Sequence, residues 1–376
     1  MTTATPTEMM RIGIVCPYSL TVPGGVQAQV LGLARELRAR GHEARVLGPC
    51  DGPPPESFIT PLGDSLPLAA NGSIAPLAPD PSAALRTLRV LADERFDVIH
   101  LHEPLAPGPT STALIVHTAP TVATFHAAGG STSYRLLRPA LSRLIERIDR
   151  KVVVSKDALA LVRGHLGGEY DVLFNGVEID AIESVEPWPR PGGDEGQRRP
   201  AVLFCGRHEE RKGLRVLIDA VQGAALDIDV WIASEGPDTA ELRARTDGDD
   251  RFLWLGRVTD DEKYARLRSA DVFCAPSLRG ESFGVVLIEA MAAGTTVVAS
   301  SLDGYRNVAT SGIDSLLVEP GDSHALAGAL TAAVTDHELA QRLRHAGSER
   351  AREFAMTTLA DRYLEIYRAI RPSPVA

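Results

Sequence analysis

Residues 11–47, RIGIVCPYSLTVPGGVQAQVLGLARELRARGHEARVL, decide the fold. RIGIVC is an apolar run of strand length. The loop after it ends in Pro23, Gly24 and Gly25. Residues 26–40 then repeat apolar side chains at helical spacing up to Gly41, where a helix should stop. Residues 44–47 resume as a strand. Strand, helix and strand in this order form a parallel pair whose two faces must both be covered. The alternation continues through short apolar runs at 96–101, 121–125 and 151–154. It restarts with a strand at 201–205 and a helix at 213–221, followed by strands at 229–233, 252–255, 272–275 and 296–299. Between the two series, EPWPRPGGDEGQRRP at 186–200 fits neither a core helix nor a strand and reads as a linker. Residues 48–80, with Pro53, Pro54 and Pro55, read as an irregular excursion from the first domain. The expected fold is α/β, with two doubly wound domains facing each other across a cleft. Open parallel sheets bind ligands at the carboxyl ends of their strands, which places the expected site in that cleft.

A chain of 376 residues suits two or three domains of roughly 150 residues each. Its 44% hydrophobic and 23% charged residues exclude a disordered or fibrous chain. A formal net charge of −10 weighs against a nucleic-acid partner, because no positive field gathers phosphate backbones. Cys16, Cys50, Cys205 and Cys274 lie far apart, which argues against a disulfide framework or a structural zinc site. No apolar run approaches a membrane-spanning length. The first ten residues, MTTATPTEMM, lack the apolar core of a signal peptide, so a cytoplasmic location is expected.

Four groups of residues are candidates for chemistry. At Pro23-Gly24-Gly25-Val26 a backbone can approach a ligand closely and a helix start favours an anion, although the same residues also suit a plain turn. GxGxxG is absent there, which speaks against a nicotinamide dehydrogenase. In GRHEERKG at 206–213, Arg207 can bind phosphate through two hydrogen bonds and Lys212 as a point charge; the alternative is a solvated charged turn. In GESFG at 280–284 and the apolar helical run behind it, Glu289 is expensive to bury without a partner. Read as helix, the eight steps from Glu281 to Glu289 span about 12 Å, and a helix start between them can hold phosphate. A capping residue and a surface glutamate are the alternative there. Finally, His100-Leu101-His102-Glu103 ends an apolar strand and lacks further ligands at metal spacing. His126, after the strand 121–125, reads as a core, loop or site histidine.

Together these motifs resemble the retaining glycosyltransferases of family 4, which have the GT-B fold. The resemblance runs from residue 11 to about 370 through PGGV at 23–26, DVIHLHEP at 97–104, TFH at 124–126, NGV at 175–177, GRHEERKG, and GESFGVVLIEAMAAGTTVVAS at 280–300. The last carries the family's Glu-x7-Glu pair. CPYSLTVPGGVQAQVLGLARELRARGHE at 16–43 and ANGSIAPL at 70–77 are most similar to actinobacterial phosphatidylinositol α-mannosyltransferases. The resemblance implies an acceptor domain at 11–185, a linker at 186–200, a nucleotide-sugar domain at 201–356, and a helix at 357–371 crossing back to the first domain. It implies that Arg207 and Lys212 neutralise the donor diphosphate beside Gly25, that Glu281 holds donor-sugar hydroxyls, and that Glu289 holds the ribose. Backbone amides of Phe283, Gly284 and Val285 would support sugar and phosphate, and Arg257 and Val258 would border the base. His126 would lie near the reacting carbon. No protein nucleophile, metal or other cofactor is implied.

The implied reaction transfers mannose from GDP-mannose, with retention, to a phosphatidylinositol-like lipid at the inner membrane face. Tyr18 and Asn71 match positions used around the inositol ring. The acceptor side also departs from the pattern: Thr21 stands in place of an aspartate, Pro76 in place of an arginine, and AAGGSTS after His126 lacks a lysine. The membrane-facing helix near 82–93 holds only Arg86 and Arg89, while the more basic stretch is 135–151. The alternatives are a UDP-sugar enzyme acting on a soluble acceptor such as inositol phosphate or a polysaccharide, and a nucleotide-sugar-binding protein without transfer.

Overall fold

The computed structural model describes residues 9–70, 73–126, 143–190, 198–281 and 283–371. The chain divides into two compact units, Met1–Gly176 together with Met356–Ala376, and Val177–Ala355.

Among the described residues, the first unit is built on a seven-stranded sheet in the order β3-β2-β1-β6-β7-β8-β9. The strands are β1 (Arg11–Val15), β2 (Glu43–Gly48), β3 (Ile59–Pro61), β6 (Val98–His102), β7 (Thr121–Phe125), β8 (Arg150–Val153) and β9 (Asp171–Val172). All neighbours are parallel. Strand alternation sends Ile12 and Ile14 of β1 to one face, against Leu33 and Leu37 of the helix Gly25–Ala39 and Tyr363 and Tyr367 of the helix Met356–Ile370. Val15, Ile99 and Leu101 face the other way, against Leu91, Leu114 and Val162.

Residues 48–70 and 73–80 hold more regular structure than their proline content suggests. Ile59 and Leu62 are buried, which draws β3 into the sheet. The hairpin β4 (Leu66–Ala70) and β5 (Ser73–Leu77) then pairs with itself.

The second unit has a six-stranded parallel sheet in the order β12-β11-β10-β13-β14-β15. Its strands are β10 (Ala201–Cys205), β11 (Asp229–Ala233), β12 (Phe252–Gly256), β13 (Val272–Ala275), β14 (Thr296–Ser300) and β15 (Leu316–Val318). With its first strand central and the order reversing beside it, this is the doubly wound plan.

The units divide at Gly176, not within 186–200. Ile179 and Ile182 are buried in the helix Ile179–Ser184, which packs on the second-unit helices Val285–Ala292 and Asp260–Ser269. Trp188 lies beneath the Arg266 guanidinium at 4.1 Å, and its amide donates to the Ala265 carbonyl. Residues 177–190 therefore belong to the second unit because their apolar partners are there. Residues 191–197 of the expected linker lie outside the described residues.

Candidate active site

In both sheets the order reverses beside the central strand, between β1 and β6 and between β10 and β13. The loops leaving the carboxyl ends of these strands are where such folds bind ligands. Every candidate residue described in the structure lies on one of these loops, on the strand ends and loops next to them, or on a helix that begins there.

In the second unit, the loop after β10 carries Arg207 and leads to a 3-10 turn, Glu210–Lys212. Gly213 ends that turn at φ +70°, and a Cβ there would lie 1.8 Å from the Pro276 carbonyl oxygen. Only glycine lets this turn press against the loop after β13, and the contact brings Lys212 to Glu281. Lys212 Nζ lies 2.6 Å from Glu281 Oε1. The same oxygen accepts from Ser277 Oγ at 3.0 Å, and Arg211 Nη1 stands 3.5 Å away. Ser277 spends its proton on Glu281, so the Tyr305 hydroxyl, 3.0 Å from Ser277 Oγ, is the donor to Ser277. Tyr305 is fully buried, and burial pushes its phenol up from the ordinary value.

Glu281 precedes the helix instead of sitting on it, so the 12 Å helical spacing does not apply. The helix is Val285–Ala292, entered through Gly284 at φ +95°, where a Cβ would meet the Tyr305 ring at 2.8 Å. Among the described residues no side chain caps this helix start, which leaves its first amides available to an anion. Phe283 is buried edge-to-face on Phe354 at 5.7 Å.

Glu289 has the partner its burial demands, namely Lys263 Nζ at 3.0 Å. That ammonium also lies 3.1 Å from Asp260 and 4.6 Å from the Tyr264 ring centroid. Burial alone pushes the Lys263 ammonium down, but Glu289, Tyr264 and Asp260 together overcome it and hold its pKa above the ordinary value.

Arg207 stands outside this cluster, half exposed, with Glu209 3.8 Å from its Nε. Arg257 is exposed beside Glu235 at 3.1 Å and, with Val258, forms the loop after β12. His208, within the GRHEERKG motif, is a buried structural residue whose Nδ1 meets Thr239 Oγ1 at 2.8 Å.

In the first unit, Gly24 precedes the helix Gly25–Ala39, and a Cβ on Gly25 would meet nothing within 4 Å. Tyr18 bridges to Leu77. Asn71 lies outside the described residues, as do Ser282, the AAGGSTS segment after His126 and residues 135–142 of the basic stretch. Thr21 Oγ1 is bonded to Ser19 Oγ and to the Asp51 amide, both at 3.0 Å.

Strand alternation places Val98, His100 and His102 on one face of β6, and the register sets His102 beside Thr124 of β7. His100 Nδ1 meets the Tyr367 hydroxyl at 2.7 Å and its Nε2 meets Thr124 Oγ1 at 2.8 Å. Thr124 Oγ1 in turn meets the Tyr363 hydroxyl at 2.8 Å. His102 Nδ1 lies 2.8 Å from His126 Nε2, and the His126 amide donates to Glu103 Oε1 at 2.7 Å. Burial pushes His100 and His126 down to about 3. His102 falls well below the ordinary value through burial and then through its two histidine neighbours.

Ser277, Tyr305 and Lys263 do not stand out in the sequence: Ser277, four residues before Glu281, belongs to no recognisable pattern, Tyr305 is 28 residues from Ser277, and Lys263 is 26 residues from Glu289. The His102–His126 pair was not legible either: alternation along β6 puts His100 and His102 on one face, but the partner across strands follows only from the register of β6 on β7.

Two family profiles cover these two regions. One described as "Glycosyltransferase Family 4" matches residues 23–181, and one described as "Glycosyl transferases group 1" matches residues 199–336. A protein of Mycobacterium leprae named phosphatidyl-myo-inositol mannosyltransferase is 41% identical over 375 residues, covering 97% of this chain and 98% of its own. One of that name from Propionibacterium freudenreichii is 36% identical over 315 residues, covering 80% of each chain. The chain belongs to the family 4 glycosyltransferases. A solved glycosyltransferase from Rickettsia africae superposes with a TM-score of 0.74 at 18% identity, covering 96% of this chain and 99% of its own. The fold is thus GT-B, and the enzyme is a glycosyltransferase. No described helix of this family 4 enzyme is long and apolar enough to cross a membrane.

Proposed function

We propose that this glycosyltransferase moves a mannosyl unit from GDP-mannose, with retention of configuration, to the inositol ring of a phosphatidylinositol-type lipid. The observation that carries the chemistry is the Lys212–Glu281 clamp beside the helix start at Gly284. The names of the 36–41% identical relatives support the acceptor and the sugar.

In this reading Lys212 and Arg207 meet the diphosphate of the donor. The anomeric carbon–oxygen bond breaks with its electron pair passing to that diphosphate, and the cations offset the growing negative charge. The acceptor hydroxyl attacks from the side the leaving group vacates, and its proton goes to the departing phosphate oxygen. Glu281, anchored through Oε1, holds sugar hydroxyls through its other oxygen; Glu289 holds the ribose. Amides of Phe283, Gly284 and Val285 support phosphate and sugar, Arg257 and Val258 border the base, and Gly25 leaves room for the diphosphate. His126 serves the reacting carbon, and Tyr18 with Asn71 serves the inositol.

Contact with the membrane face is part of the proposal. Leu85 and Leu88 are exposed on the helix Pro81–Glu94, and Ile115 and Val116 on the helix Pro109–Val116 packed beside it. Arg89, on the first of these helices, is paired only loosely, with Asp93 at 3.6 Å. A soluble polyol phosphate is the second reading, favoured by Thr21, whose hydroxyl is already committed to Ser19 and Asp51.

The test is transfer of labelled mannose from GDP-mannose to phosphatidylinositol liposomes, with UDP-glucose and UDP-N-acetylglucosamine in parallel. Lipid-linked mannose supports the proposal. Donor hydrolysis without lipid product, together with transfer to inositol phosphate, supports the second reading.

A further inference from the structure

His102 is 2% exposed, and among the described residues its Nε2 is buried without a hydrogen-bond partner. Its other ring nitrogen lies 2.8 Å from His126 Nε2. A bond between two ring nitrogens needs one proton, so one nitrogen carries it and the other accepts. Desolvation keeps both rings neutral at ordinary pH. Each ring then has a single N–H, and only two arrangements remain.

If His126 donates from Nε2, His102 accepts at Nδ1 and must carry its own proton at Nε2. That buried N–H has no acceptor among the described residues. If His102 donates from Nδ1, its Nε2 is a bare lone pair and His126 carries its proton on Nδ1. Orphaned N–H donors are rarer in folded proteins than under-satisfied acceptors, which favours the second arrangement. We propose that His102 is a positioning residue that donates from Nδ1 to His126 Nε2, fixing His126 as the neutral Nδ1–H tautomer it offers to the reacting sugar. The last clause rests on the role given to His126 above.

The surroundings keep His102 in place. Its ring packs 4.4 Å from the His100 ring, centroid to centroid. His100 is itself held at both nitrogens, by the Tyr367 hydroxyl and by Thr124. A neutral ring suits a site where a carbon gains positive charge as its leaving group departs, since an imidazolium there would repel it, and its Nδ1–H has a sugar oxygen as acceptor. Direction without charge is what the paired rings provide.

The tautomers can be read directly in the wild-type full-length protein labelled with 15N-histidine. Among the ten histidines, the signals of His102 and His126 are assigned with the His102→Asn and His126→Asn variants. At neutral pH both His102 and His126 should show the Nδ1–H pattern; an Nε2–H pattern on either ring overturns the proposal whatever the substrate proves to be. A second arm uses turnover. His102→Leu should lower kcat on the order of 10²-fold through misplacement of His126, with donor KM little changed. His102→Asn, which keeps an N–H near the Nδ1 position, should recover most of that loss. Equal losses in both variants, with the His126 tautomer unaltered, would overturn the positioning role. Full activity in His126→Ala would sink the role given to His126, and the tautomer measurement would still judge the pair.

Discussion

In the second unit the buried polar groups of the site are charged and paired, Lys212 with Glu281 at 2.6 Å and Lys263 with Glu289 at 3.0 Å. In the first unit, apart from the Glu103 carboxylate on the His126 amide, they are rings and hydroxyls, His100, His102, His126, Thr124, Tyr363 and Tyr367, joined at 2.7–2.8 Å. A buried ion pair keeps its charges only while both members remain, and it can exchange a carboxylate for a ligand anion. A neutral network offers no charge to a ligand but fixes the direction of each proton. The proposed function needs both: cations for a diphosphate, and an uncharged ring beside a carbon turning positive. Each prediction below tests whether the two regions differ in this way.

The largest effect is expected where a charge is left alone. Lys263→Met strands the Glu289 carboxylate, which is only 14% exposed, and should cost about 3–5 kcal/mol of stability. Urea unfolding checks this, with Lys263→Met/Glu289→Leu expected to recover most of the loss. An unchanged midpoint in the single variant would mean that the pair is solvated and the contrast between the units is false.

Next comes Glu281→Ala, expected to reduce transfer by about 10²–10³-fold while nucleotide diphosphate still binds, because the lost contact is to the sugar. Transfer assays and calorimetry on the same preparation separate the two effects. Unchanged turnover would sink the assignment of Glu281. Smaller again is Lys212→Ala. Losing one charge-assisted hydrogen bond should weaken nucleotide diphosphate binding by about 1.5–3 kcal/mol, measured by calorimetry with GDP and UDP. Wild-type affinity for both would refute the phosphate role.

How much of this was legible in the sequence depends on the range of the interaction. The doubly wound plan could be read because apolar runs and helical periodicity are local, and the loops at strand ends follow from it. Glu289 announced itself as a buried carboxylate in VVLIEAMAA, but its partner could not be named, since Lys263 lies 26 residues away across a fold-dependent contact. Tyr305 was illegible for the same reason, 28 residues from Ser277, whereas Ser277, four residues before Glu281, carries no pattern that marks it as that carboxylate's donor. The unit boundary was misplaced because a proline-rich stretch marks irregular chain, whereas a boundary is set by where Ile179, Ile182 and Trp188 find apolar partners. His126 could be placed at a strand end, but its ring partner required the register of β6 on β7.

The smallest expected effect is a slope. His100 and His126 have folded-state pKa values near 3 against an ordinary 6.5, so in mild acid the unfolded chain binds protons the folded chain refuses. Their stability contribution is complete above about pH 6.5 and is lost as pH falls from there toward 3, at up to about 1.4 kcal/mol per pH unit for each ring. His102 and His42 are lowered too, which gives the first unit several such groups. In the second unit His208 is lowered, whereas the contribution of the Lys263 ammonium, its pKa raised, is lost toward alkaline pH. Between pH 6.5 and 5, above the range of ordinary carboxylates, the first unit should therefore lose stability more steeply than the second. Urea unfolding followed by hydrogen exchange, which reports each unit separately, reads both slopes. His100→Gln should flatten the first unit's slope by about one proton and leave the second unit's unchanged. Equal slopes in the wild type would mean that the histidines already take up protons in the folded state, and the neutral network would have to be redrawn as a charged one.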